Sequence, residues 1–306
     1  MESTSLRDLI GKYLAKIDDD RIVVLDGDIA KSTKTTDFKA VHPQRFIECG
    51  ISETSAMSMG YGLALDGMIP FVVNFTILTL GNAWTQVRMA CYANANLKII
   101  GTHPGIDNGQ DGASHHGTED LALARVLPNL KVIDPSTPEQ LEQAINYAAS
   151  VHGPVYIRVP RDKTYCYGSK PFEMGKEDLV HDDGNEFAIL YEGSCSRVAF
   201  DSYDGLLNAG HKGKLVNCVS IKPFDAALVK KIADEVKVIV TVENHSVIGG
   251  LYGSVAETLA SGSHKAVVKA VGLNDRFSQS GTADDLKKEF GITADNIMSL
   301  VEENIR

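Results

Sequence analysis

The chain alternates short apolar runs with stretches of helical periodicity. Leucine or isoleucine falls at 6, 9, 10, 14 and 17, the spacing of one helix face. Apolar runs then follow at 22–25 (IVVL), 45–49 (RFIEC), 71–75 (FVVNF), 97–100 (LKII), 131–133 (KVI) and 155–159 (VYIRV), each read as a strand. Helical segments lie between most of them: Trp84, Val87 and Cys91 share one face, and STPE at 136–139 predicts a capping box opening a helix to about Ser150. Residues 162–186 break the pattern with Gly168, Pro171, Gly175, Gly184 and many charges. A second series follows, with strands at 187–191, 214–218, 237–242 and 266–271 and helices at 196–209, 225–234, 250–260, 282–289 and 294–304. Alternating β and α units predict an α/β fold of two doubly wound, mostly parallel-sheet domains. The expected division is 1–165, a linker at 166–186, and 187–306.

Composition narrows the function. The chain has 306 residues, with 30 basic against 40 acidic and a net charge of −10, which speaks against nucleic acid or an anionic membrane as partner. A local basic patch for a phosphorylated metabolite is compatible with that balance. Five widely spaced cysteines without CxxC point to a reducing, cytoplasmic setting. The N-terminus does not read as a secretory signal. Residues 67–87 carry no charge, a length that could span a bilayer, but Pro70, Asn74, Gly81, Asn82 and Gln86 predict a buried strand, a loop and a helix start instead. GxxxxGK[ST], HExxH and GxSxG are absent, and Gly60-Tyr-Gly62 lies in a helix-like run.

Three segments carry candidate chemistry. In RFIECGISETSAMSMGYGLALDG (45–67), Gly50 turns the chain and Glu53 stands where a helix begins, a place the helix dipole makes favourable for a carboxylate. Small residues follow at Ser55, Ala56, Ser58, Gly60, Gly62 and Ala64. Taken alone, this reads as a first-turn acid and plain helix packing. THPGIDNGQDGASHHGTED (102–120) is a glycine-rich polar loop after a strand, holding His103, Asp107, Asp111, His115, His116, Glu119 and Asp120. Open α/β sheets place ligands at such loops. Adjacent His115 and His116 do not suit one metal ion, and no spacing matches a standard site. GPVYIRVPRDK (153–163) places Arg158 and Arg161 at a strand end, where arginine suits phosphate; alone they would read as surface arginines paired with acids.

Taken in order, these segments resemble the C-terminal half of transketolase over essentially the whole chain, together with SLRDLIGKYL, RIVVLDGDIAKST, TVENHSVIGGLYGS and RFSQSGTADDL. The spacing of Glu53, His103, Asp111, His115 and Arg161 is the specific part. The resemblance implies a pyrimidine-binding domain and a C-terminal domain. The diphosphate-binding domain, with its GDG motif and following Asn, is expected on a partner: an N-terminal subunit of a split enzyme, in an α2β2 assembly around a homodimer core. It implies thiamine diphosphate as cofactor, with Mg2+ or Ca2+ liganded by the partner. Glu53 corresponds to the glutamate that hydrogen-bonds the cofactor's pyrimidine and exchanges a proton with it. Phe75 corresponds to an aromatic packed on that ring, and Leu78 stands where the family commonly has a second one. His115 corresponds to a proton shuttle near the reacting carbon, and Asp111 to a carboxylate binding a substrate hydroxyl. Arg7, Ser32, His103 and Arg161 correspond to the holders of the substrate phosphate. The implied reaction moves a two-carbon ketol unit between sugar phosphates or related anionic sugars. A 1-deoxyxylulose-5-phosphate synthase fragment, a 2-oxoacid dehydrogenase beta subunit and a non-catalytic regulatory half are the alternatives.

Overall fold

The computed structural model describes residues 1–306, with two large sheets and a two-stranded one, Ser3–Ser5 with Lys163–Tyr165. The first runs, edge to edge, through Ser220–Lys222, Lys131–Ile133, Val155–Val159, Lys98–Thr102, Ile69–Phe75, Ile22–Asp26 and Phe46–Glu48. All neighbours are parallel except the first pair. Each predicted apolar run is therefore a strand, and the central ones are buried throughout. Successive residues serve opposite faces: Val23 and Leu25 join the core on one side, Ile22 and Val24 the core on the other. Helices Glu53–Leu65 and Trp84–Tyr92 cover the first face, and helices Ile10–Ala15 and Pro138–Ser150 the second.

The second sheet orders Val267–Leu273, Val238–Ser246, Phe187–Tyr191, Gly213–Asn217 and Asp178–Asp182, the last antiparallel. Ser3–Ser5 and Lys163–Tyr165 are strands that the sequence reading does not contain, and two strands of the large sheets also depart from it. Asp178–Asp182 lies within the expected linker yet forms this sheet's edge. Ser220–Lys222 leaves the second series and pairs antiparallel with Lys131–Ile133 of the first sheet. One apolar core accordingly runs unbroken from Val23 and Val72 to Ala188, Leu190 and Val216. Local details also shift. Residues 6–15 form a 3-10 turn (Leu6–Leu9) before the α-helix, and the uncharged segment after Phe75 is a π-helical turn, Ile77–Asn82. Thr137, not Ser136, caps its helix by accepting from Gln140 N, while Gln140 Oε1 accepts from Ser136 N.

Arg158 corrects the reading of a phosphate-binding arginine. It is fully buried between the two domains. Its Nε lies 2.9 Å from Asp120 Oδ2; its Nη1 lies 3.1 Å from Asp134 Oδ2 and 2.5 Å from Glu192 Oε2; and its Nη2 donates to the Asn244 carbonyl at 2.9 Å. Burial pushes the Asp134 carboxyl up, with Glu192 adding to it. Burial also opposes charge on Glu192, but Arg158 and a hydrogen bond from Asp134 outweigh it and hold Glu192 down to about 2. One arginine thus ties carboxyl groups of both domains together, with ionised Glu192 as its counter-charge. Replacing Arg158 by Met would leave the Glu192 carboxylate buried without a counter-charge, so a loss of about 3–5 kcal/mol is expected in urea unfolding. A loss below about 1 kcal/mol would remove Arg158 as the interdomain tie.

Candidate active site

Residues far apart in the chain converge at the carboxyl ends of the first sheet. Strand Ser3–Ser5 pairs antiparallel with Lys163–Tyr165, and Ser5 Oγ donates to the Arg161 carbonyl at 3.1 Å. This pairing brings Arg7, on the 3-10 turn anchored by buried Leu6, to the side of Arg161. Buried Asp26 organises the next segment: its Oδ1 accepts from Ile29 N, and its Oδ2 accepts from the hydroxyls of Thr33 and Thr35 at 2.6 and 2.8 Å. That arrangement fixes the short helix carrying Ser32. Phe75 ends one strand and His103 directly follows the neighbouring one, with ring centroids 4.2 Å apart. His103 has φ +58, a left-handed backbone that few side chains adopt. Arg7, Ser32, Phe75, His103, Asp111 and Arg161 all line one cleft of about 610 Å³.

The cleft is polar. Arg7 donates through Nε and Nη2 to Asp8 Oδ1 at 3.3 and 3.0 Å. Arg161 donates through Nη1 to the Asp107 carbonyl at 2.9 Å, leaving the rest of its fork for a ligand. Buried Asp107 returns the contact: its Oδ2 accepts from the backbone N–H of Arg161 and of Asp162 at 3.2 and 3.3 Å. Burial, with Arg7 and Arg161 close by, pushes the His103 ring down to about 2, so the ring is a neutral hydrogen-bonding group. Its Nδ1 lies 2.8 Å from Thr102 Oγ1. Two arginines, a hydroxyl and a neutral imidazole around one hollow are suited to a phosphate or sulfonate group.

Glu53 lies beside this cleft. It is the first residue of helix Glu53–Leu65, entered through Gly50 at φ +68. With Gly27, Asn74 and Leu78 it lines a small hollow of about 10 Å³. Asn82 Nδ2 donates to Glu53 Oε2 at 3.0 Å, and Oε1 is left to accept from a ligand. Phe75 follows Asn74 and lines the large cleft, so the two hollows meet along one strand end.

His115 is not among the residues lining either hollow. It is half-buried on the same loop, its Nδ1 lies 3.0 Å from Ser114 Oγ, and its carbonyl accepts from Asn108 Nδ2 at 2.7 Å. His116 is buried, with Nε2 3.2 Å from the Gly109 carbonyl. Sequence reasoning gave no role to Asn244 and Lys287. Asn244 Nδ2 donates to Asp107 Oδ1 at 2.7 Å, and Lys287 Nζ lies 2.6 Å from Asp162 Oδ2. Nothing local marks these two residues, because their partners lie more than a hundred residues away. Gly281, Thr282 and Ala283 of the second domain also line the cleft.

Residues 2–165 match the transketolase pyrimidine-binding domain family and residues 175–297 the transketolase C-terminal domain family. A protein provisionally named as a transketolase C-terminal section, from Methanocaldococcus jannaschii, is 37% identical over 94% of this chain and 91% of its own length. A 6-deoxy-6-sulfo-D-fructose transketolase subunit from Clostridium sp. is 34% identical over 97% of this chain and 92% of its own. Among solved structures, a split-gene transketolase described as an inactive β4 tetramer is 36% identical, covers 98% of both chains and superposes with a TM-score of 0.89.

The setting of His103 gives a direct check. A histidine depressed below its ordinary value of about 6.5 is protonated in the unfolded chain before it is in the folded one. Its contribution to stability is therefore complete above about pH 6.5 and is lost as pH falls towards the folded value of about 2. NMR of the ligand-free chain should show the His103 ring neutral throughout pH 5–8. An inflection near pH 6.5 would mean the ring is solvated and away from Arg7 and Arg161.

Proposed function

Because the chain belongs to the transketolase family, we propose that it is the C-terminal subunit of a split, two-chain transketolase, moving a two-carbon ketol unit between anionic sugars. The observation that carries this reading is the single cleft that gathers Arg7, Ser32, His103, Asp111 and Arg161 beside Glu53. Arg7, Ser32, His103 and Arg161 would supply N–H or O–H groups for a terminal phosphate or sulfonate, and Asp111 would accept from a sugar hydroxyl. The sulfosugar named for the Clostridium relative supports the wider anion class.

The residues around Glu53 suit an aminopyrimidine: a carboxylate oxygen without a protein partner, with the apolar Leu78 in the same hollow and Phe75 on the adjoining cleft. Thiamine diphosphate, when bound, supplies the carbon nucleophile that accepts the ketol unit. Glu53 would hold and exchange a proton at the pyrimidine ring, a role an amide cannot take. Phe75 and Leu78 would keep water from one side of that ring. His115, with Nδ1 beside Ser114 Oγ, would carry protons at Nε2. The diphosphate, and Mg2+ or Ca2+ with it, is assigned to an N-terminal partner subunit. Contact with a second copy is assigned to helices Glu53–Leu65 and Trp84–Tyr92, where Met59, Leu65, Met89 and Tyr92 are exposed. No helix is long and apolar enough to cross a membrane.

Ketose phosphate turnover is expected only when this chain is combined with one carrying the diphosphate-binding domain. Turnover by the pure chain with thiamine diphosphate and Mg2+ would overturn the split reading. In the combined enzyme, Glu53→Gln should lower kcat by about 10²–10⁴-fold, the usual range for a lost acid–base group. Retention of activity within a few-fold would refute the role given to Glu53.

Arg161→Ala tests the anion site separately. The lost charge-assisted hydrogen bonds are worth about 1.5–3 kcal/mol, or roughly 10- to 100-fold in KM for a phosphorylated donor. Hydroxypyruvate, a donor too short to reach the site, should be unaffected. Equal loss on both donors would make Arg161 structural.

A further inference from the structure

The second domain helps to build the cleft. Gly281, Thr282 and Ala283 line it together with Arg7, His103, Asp111 and Arg161. Their approach to the Asp111 loop is close and permits no side chain between. Gly109 and Gly112 flank the turn that holds Asp111, at φ +54 and +78. A Cβ on Gly109 would lie 2.9 Å from the Gly281 carbonyl, and one on Gly112 would lie 2.7 Å from Ser280 Oγ. The Gly281 N–H faces the Gly109 carbonyl at 3.4 Å. Behind this contact, Lys287 of helix Ala283–Glu289 is fastened to Asp162 at 2.6 Å and stands 3.6 Å from Asp107 Oδ1, the carboxylate that also steadies Arg161.

The side chains of the wall have little spare hydrogen-bonding capacity. Thr282 Oγ1 accepts from Asp285 N at 3.2 Å and donates to Asp285 Oδ2 at 2.7 Å, so its hydroxyl is occupied in capping its own helix. The Ala283 side chain is only a methyl group. What the side chains of this segment can impose on a bound molecule is shape, whereas Asp111 across the contact can accept from a hydroxyl. We propose that residues 281–283 form a substrate-contacting wall, and that the small side chain of Ala283 admits the carbon chain of an anionic sugar. The second domain then sets substrate bulk while the first domain holds the anion. This rests on the cleft being the anionic-sugar site.

The test uses the full chain and titration calorimetry. Wild type and Arg161→Ala are first titrated with inorganic phosphate. Phosphate binding that Arg161→Ala weakens tenfold or more keeps the cleft reading; no binding, or binding indifferent to Arg161, ends that reading and the wall with it. Ala283→Phe is then titrated with phosphate and with sedoheptulose 7-phosphate. The expected result is a phosphate Kd within twofold of wild type and a Kd for the sugar phosphate at least tenfold higher. An unchanged Kd for the sugar phosphate overturns the wall while leaving the anion site standing. Should Ala283→Phe fail to fold, Ala283→Cys makes a smaller change. Its alkylation by iodoacetamide, read peptide by peptide, should slow at least fivefold under saturating sedoheptulose 7-phosphate and hardly at all under phosphate. Equal rates with and without the sugar overturn the proposal.

Discussion

One buried guanidinium sets the geometry of the molecule. Arg158 lies within the strand Val155–Val159, and its fork meets Asp120 and Asp134 of the first domain and Glu192 and the Asn244 carbonyl of the second. Buried ions are costly to desolvate, and Arg158 and Glu192 are tolerated because each has the other at hydrogen-bond distance. The consequence is directional. Glu192 Oε1 accepts from Asn244 N at 2.7 Å, and the Asn244 side chain accepts from Ile106 N while donating to Pro104 O and Asp107. Asp107 in turn steadies Arg161. The domain interface and the proposed anion site are thus two ends of one hydrogen-bonded chain.

The cleft lies where a doubly wound sheet leaves room for it. Ser32, Phe75, His103 and Arg161 follow or end strands Ile22–Asp26, Ile69–Phe75, Lys98–Thr102 and Val155–Val159, all at carboxyl ends. Backbone that must turn sharply at those ends accounts for the positive φ angles of Gly50, His103, Gly105, Gly109 and Gly112. At Gly105 a side chain would collide with Asn244, so the residue that couples the domains also dictates a glycine in the loop. Burial then makes His103 neutral, which leaves Arg7 and Arg161 to supply the positive charge.

The boundary between the domains is less sharp than the sequence pattern suggests. The edge strand Asp178–Asp182 carries polar and charged residues on an antiparallel, bulged pairing, so it shows neither a continuous apolar run nor a clean alternation. Ser220–Lys222 is an ordinary three-residue strand by composition, and only the packed molecule decides that it pairs with the first domain. A shared apolar core follows from that exchange.

Periodicity alone specified the alternating strands and helices, because burying one helix face or both sheet faces demands apolar residues at fixed spacing. The three chemical segments were equally plain as segments, since glycine-rich polar loops after apolar strands leave a local signature. Tertiary structure decided what became of their members. Arg158 and Arg161 stand three residues apart in similar company, yet one lies within the strand and is sealed by the second domain, while the other lies beyond it and faces the cleft. His103 and Asp111 reach that cleft and His115 of the same loop does not. Asn244, Lys287 and Ala283 join the site only through domain docking. Such contacts arise from the positions of whole sheets, and a side chain's own neighbours in the chain carry no record of them.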